Sequence, residues 1–287
     1  MNTSDIANPL FRQAVAAIGA GNIVLVENLL NQYPYLVAEK ANVPTDGYFA
    51  HPYLLWFVAD NPIRHKKLPG NIAAITELLL KYISGHAPQS FHEQVNYALG
   101  LVVSGHTPRN CGVQVALMDV LIDAGAVAGN GHGALANNNT AAAQHLLQRG
   151  GELTLATAVC LDRKSDMERL LGSATETDLS VALVAAAFYG KPAMIALLLE
   201  AGASPNAWIT ASSGFHSHAT ALHQAVYSGS FECVQLLVEA GADLLVEDKI
   251  YHGTPLGWAL HMLEEEKDEE LRKRYAAIKT YLQGKEK

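Results

Sequence analysis

One stretch, Thr220 to Ala259, constrains the fold more than any other, because the same run of signals starts twice inside it. Thr220-Ala221-Leu222-His223 opens a short helix that Gly229 breaks, and Phe231 to Glu239 makes a second helix that stops at Gly241. Threonine caps helix starts and glycine ends helices, so these positions predict borders as well as helices. After a link ending at Gly253, Thr254-Pro255-Leu256 begins the series again. In a chain of such units each helix pair packs only on its neighbours, so length adds units rather than enlarging one core.

The threonine cap, the leucine pair and the Gly-Ala-Asp stop at 241–243 occur in order, and on these residues the stretch resembles the ankyrin repeat. The resemblance implies an all-α, ankyrin-type α-solenoid of stacked helix-turn-helix units joined by short β-hairpin fingers. It would form a single array over 1–287, with an N-terminal cap at about 1–37 and a C-terminal cap at about 254–287. Second-helix leucines at 29, 78, 121, 146, 170, 198 and 237 average about 35 residues apart, near the family period of about 33, and suggest seven to eight units. Only Thr220-Ala-Leu-His223 and Thr254-Pro-Leu-Gly257 are near-complete openings, and Gly257 stands where the motif has histidine.

Along the chain, helical spacing predicts pairs at Pro9–Gly19 with Ile23–Leu30, Tyr53–Ala59 with Ile72–Tyr82, and His92–Val103 with Val113–Asp123. Pairs follow at Gly133–Asn137 with Thr140–Gln148, Leu155–Leu161 with Asp166–Leu171, and Val181–Tyr189 with Ala193–Glu200. The leucine spacing is short through the fourth to sixth units and long elsewhere. Surplus chain is therefore expected to project as fingers near 38–50, 204–219 and 244–253. The final unit, Leu260 to Tyr275, has acids before bases, the favourable order for a solvated terminal helix.

The first of the two C-terminal fingers carries Trp208, Phe215, His216 and His218, and the second carries Tyr251 and His252. Tyr189 and Tyr227 end first helices just before glycines, and Tyr48 and Phe49 sit in the 38–50 connector. Exposed aromatics bury much area at small entropic cost, so these residues are expected to form a partner-binding patch. The opposing reading has the longer finger fold back and bury Trp208 and Phe215. His216, His218 and His252 are also a possible zinc triad, although His-x-His arises easily among 12 histidines and no Cys or carboxylate spacing supports it. The resemblance implies that the motif histidine, His223, hydrogen-bonds within the repeat stack instead. Trp56 and Trp258 are expected to pack between repeats, Arg64 to Lys67 to form a solvated loop, and Gly129 to Gly133 a tight turn.

Twenty Lys and Arg against 28 Asp and Glu leave a net charge of −8, which argues against general nucleic-acid binding. Cys111, Cys160 and Cys233 lack metal spacing and are expected to be reduced thiols in a cytoplasmic protein. The N-terminus shows no basic start before an apolar run, and the apolar stretch 181–199 is broken by Gly190-Lys191-Pro192, so neither a signal peptide nor a membrane span is expected. Phosphate-loop, dinucleotide, zinc-protease and nucleophile-elbow motifs are missing. The expectation is a non-enzymatic, monomeric scaffold without a cofactor. It would bind another protein through a concave face and long fingers, with a small-ligand or metal pocket between the C-terminal fingers as the alternative.

Overall fold

A computed structural model describes residues 3–42 and 51–285, so Tyr48 and Phe49 lie outside the described residues. Its chain falls into two compact units, Met1–Gly129 with Ala141–Gly151, and Asn130–Thr140 with Glu152–Lys287.

In the first unit, α1 (Pro9–Gly19), the 3-10 turn Leu54–Ala59 and α4 (Phe91–Ser104) form one layer. Helices α2 (Ile23–Gln32), α3 (Ile72–His86) and α6 (Gln114–Asp123) form the other. Pro9 occupies the first turn of α1, where its missing N–H costs nothing, and Asn8 accepts from the N–H groups of Leu10 and Phe11. The expected helix at 53–59 is a 3-10 turn, with every residue from Leu54 to Ala59 buried, and it stops at Asp60 in a left-handed conformation. Asp60 then accepts from the N–H groups of His65 and Lys66 and from the Thr107 hydroxyl, which fixes the loop whose exposed residues are Arg64 to Lys67. The turn at 104–112 carries a short helix, α5 (His106–Asn110). Most of α8 (Thr140–Gln148) also belongs to this unit, where His145 and Arg149 meet Asp119.

The second unit opens with α7 (His132–Leu135) and then alternates two layers. First helices α9 (Leu155–Cys160), α11 (Glu176–Phe188), α13 (Ala221–Tyr227) and α15 (Pro255–Glu265) pack in series. Their partners are α10 (Lys164–Leu171), α12 (Pro192–Glu200), α14 (Phe231–Glu239) and α16 (Glu269–Lys285). Helix α11 starts five residues before the expected Val181, because Thr175 and Asp178 close a capping box around its first turn. Every residue from Leu179 to Phe188 is buried, which explains the unbroken apolar run: this helix has neighbours on both sides within its layer. The charged tail is two helices rather than one. Glu266 and Asp268 accept from the N–H groups of the residues that follow them, breaking the run and capping α16.

The two C-terminal fingers lack the expected paired strands; among the described residues the lone bridge is Lys40 with Tyr53. Residues 204–219 run through a turn at Ser204–Ala207, a 3-10 turn at Ala211–Ser213 and a left-handed Gly214. A ladder needs a regular row of N–H and C=O groups. Here Pro205 has no N–H to give, and side-chain groups of Asn206 bond Gly241 and Asp243 instead. One backbone bond joins the two segments, from the Lys249 N–H to the His218 carbonyl at 2.8 Å. Among the described residues no helix is long and apolar enough to cross a membrane.

Candidate functional site

Three polar knots hold the surfaces around the two fingers. The first centres on Asp248, which is 1% exposed and accepts from the N–H groups of Ile250, Tyr251 and Gly253 at 2.7–2.9 Å and from the Trp258 indole at 3.0 Å. Burial disfavours its charge, but those four donors outweigh burial and hold the carboxyl well below the usual range. The second is His223 at the third position of α13. Its Nε2–H donates to the Gly253 carbonyl at 2.9 Å, so Nδ1 accepts from the Thr220 N–H at 3.3 Å and hydroxyl at 2.8 Å. Burial keeps this ring neutral more strongly than the Gly253 carbonyl and Asp248 favour its charge. The motif histidine thus ties one helix start to the next finger, as expected.

The third knot is His132. Its Nδ1–H donates to the Ser213 carbonyl at 2.6 Å and its Nε2 accepts from the Thr154 hydroxyl at 2.7 Å, anchoring the 204–219 segment. Phe215, 6% exposed, packs edge-on against Phe188 with ring centres 5.7 Å apart. For Phe215 the finger has folded back, and this residue is core rather than contact surface. Trp208 stays outside, 37% exposed, with the Lys249 ammonium 4.1 Å over its ring.

Between these knots lies a cleft of about 600 Å³. Phe188 and Tyr227 form one wall, stacked 5.5 Å apart and 5° from parallel. Trp258, His261 and Met262 of α15 contribute another surface, at the spacing of one helix face. His216 and His218 enter from the 204–219 segment, with ring centres 5.8 Å apart, and Tyr251 from the second finger. Burial, and then the nearby His218, push the His216 pKa down, while the Ala136 carbonyl acts the other way. Its Nε2 is buried without a hydrogen-bond partner.

The fold brings His216, His218, Tyr227 and Tyr251 to one place. Tyr189 turns away and donates its hydroxyl to the Leu135 carbonyl at 2.8 Å. His252 also leaves the group: its side chain is 76% exposed and faces Glu247 at 3.7 Å. Among the described residues no three His, Cys, Asp or Glu side chains converge as a metal site would require. Gln224, Trp258, His261 and Met262 were not foreseen as cleft residues. The spacing of 258, 261 and 262 was visible, but which side of α15 stays uncovered was not.

Residues 117–248 match the family model for ankyrin repeats, in three copies. Those residues carry ankyrin repeats. The matched copies do not establish the seven to eight units expected for the ankyrin array. Among solved structures, the human ASB11 ankyrin repeat domain matches with 16% identity over 94% of this chain and 96% of that one, at a TM-score of 0.34. No curated protein matches the sequence.

Proposed function

We propose that this ankyrin-repeat chain is a non-enzymatic binding module whose C-terminal unit receives a segment of another protein in the aromatic and histidine cleft. Ankyrin repeats are in general protein–protein interaction modules. The observation that carries the reading is the placement of Tyr227 and Tyr251, 42% and 75% exposed, at a cleft whose base is fixed by Asp248 and His223. Large exposed aromatics around a concave apolar surface are the usual anchors of an interface. Trp208, exposed beneath Lys249, offers a separate contact on the first finger. The module acts as a monomer on proteins rather than nucleic acids, in the cytoplasm.

Affinity capture from the native cell, read by mass spectrometry, tests this. Combined Tyr227→Ala and Tyr251→Ala should remove a partner that the parent protein retains, with a loss of at least about 30-fold in affinity for two anchors. The melting temperature should fall only modestly, because Tyr251 is mostly exposed and Tyr227 gives up its stack on Phe188 while the rest of the second unit is untouched. Undiminished capture of every parent-bound protein would sink the site, and light scattering checks the monomer.

A further inference from the structure

The cleft has an unusual set of polar groups. Its lining contains three imidazoles, one carboxamide and two phenols, with no carboxylate, ammonium or guanidinium. That is notable in a protein of net charge −8. The charged groups on the elements around it are engaged elsewhere or lie beyond it. Asp248 is occupied by its four N–H donors behind Trp258, and Lys249 lies over Trp208. Glu247 faces His252, and Lys191, past the end of α11, pairs with Asp162. On α15 the acids Glu264 and Glu265 are exposed and follow the cleft residues in sequence, while α13 carries no charged side chain besides the buried His223.

The cleft is therefore a place where positive charge can be taken up and no fixed negative charge is at hand to meet it. Burial and then His218, whose ring centre lies 5.8 Å away, disfavour the charged form of His216. A carboxylate brought in by a ligand offsets that penalty, whereas an ammonium adds to it. The remaining surface is aromatic and thioether, suited to a flat apolar side chain.

We propose, resting on the reading of this cleft as the partner site, that it selects an acidic–aromatic peptide segment. The aromatic ring lies against Phe188, Tyr227 and Trp258, and the adjacent carboxylate faces the imidazoles of His216 and His218. Binding then takes up a proton: association raises the histidine pKa and tightens as pH falls. A rise of one pKa unit corresponds to a tenfold gain in affinity between the alkaline and acid limits, so affinity is expected to rise severalfold at most between pH 8 and pH 6.

The test uses the full chain with histidines labelled at Cε1 and three blocked dipeptides: phenylalanyl-glutamate, phenylalanyl-glutamine and phenylalanyl-lysine amides. Titration followed by NMR should show the glutamate peptide moving the His216 and His218 signals and binding severalfold more tightly at pH 6 than its glutamine counterpart, with lysine weakest. His218→Gln and, separately, His216→Gln should each shrink the glutamate-over-glutamine preference and reduce its pH dependence; either variant serves if the other does not fold, and an undiminished preference overturns the proposal. Equal binding of the glutamate and glutamine peptides, or tightest binding of lysine, overturns the carboxylate preference and leaves the cleft standing as a site. No perturbation of the His216, His218 or His261 signals by any peptide overturns this proposal and the cleft reading together.

Discussion

Trp258 donates its indole N–H to Asp248 at 3.0 Å, so a residue of the cleft surface is held by the same carboxylate that folds the second finger. Replacing Asp248 leaves four buried or half-buried donors without an acceptor. Asp248→Ala should cost about 3 kcal/mol or more, and Asp248→Asn less, measured by urea denaturation. Because the folded carboxyl is held below its usual value, the stabilisation is fully present above about pH 4 and is lost as pH falls through the folded value. An Asp248→Ala curve parallel to the parent's across the acid range would refute this.

Buried His132 and His223 and half-buried His216 add to the second unit's acid sensitivity, in the same direction as Asp248 but at higher pH. His132, His216 and His223 all have pKa values pushed down, in each case chiefly by burial. Well above pH 6.5 they are neutral whether the chain is folded or not, and contribute no pH dependence. Below that, the unfolded chain binds protons first, so stability should decline until the folded values are passed. His132→Gln, which keeps a donor for Ser213, should flatten the decline between pH 6.5 and pH 5. An unchanged slope in a denaturation series over that range would be evidence against it.

The thiols should separate by burial. Burial pushes the Cys160 pKa up to about 12 and the Cys233 pKa up to about 11. At pH 8 a thiol of pKa 11 is about one part in a thousand thiolate, so both should resist alkylation in the native protein. Half-buried Cys111, whose Sγ accepts from the Leu68 N–H, should be modified first. Peptide mapping after brief iodoacetamide treatment reads the order directly, and native labelling of Cys160 ahead of Cys111 would contradict it.

What the sequence revealed follows from the range of the forces involved. The borders at Thr220, Gly229, Phe231 and Gly241 were legible because capping and left-handed stops act within a few residues. The break at Glu266 to Asp268 was hidden inside a charge run, where a capping aspartate looks like a solvated one. Asp248 was missed for a similar reason: a loop acid shows its burial only when the indole ten residues on is seen to turn back onto it. For the fingers, polar composition suggested exposure, but Phe215 had a place against Phe188 that only the fold supplies. His218 and His252 were expected to meet from adjacent fingers, yet they face different groups.

Two glycines near the first helix turn should respond to alanine with opposite signs. Gly19 ends α1 and a Cβ there would meet nothing within 4 Å, so Gly19→Ala removes unfolded-state freedom and should stabilise by about 0.5 kcal/mol. Gly21 has φ +71°, and a Cβ would lie 2.7 Å from Asn71 Oδ1 and 2.8 Å from Pro69 Cβ. Asn71 cannot easily withdraw, because its amide donates to the Gly21 carbonyl at 2.9 Å and so ties the helix turn to the start of α3. Left-handed strain of about 1–2 kcal/mol adds to that collision, so Gly21→Ala should destabilise by about 2–3 kcal/mol. Denaturation midpoints of the two variants, measured side by side, decide it: a neutral Gly21→Ala would mean that Pro69 and Asn71 move aside and that this contact does not fix the turn.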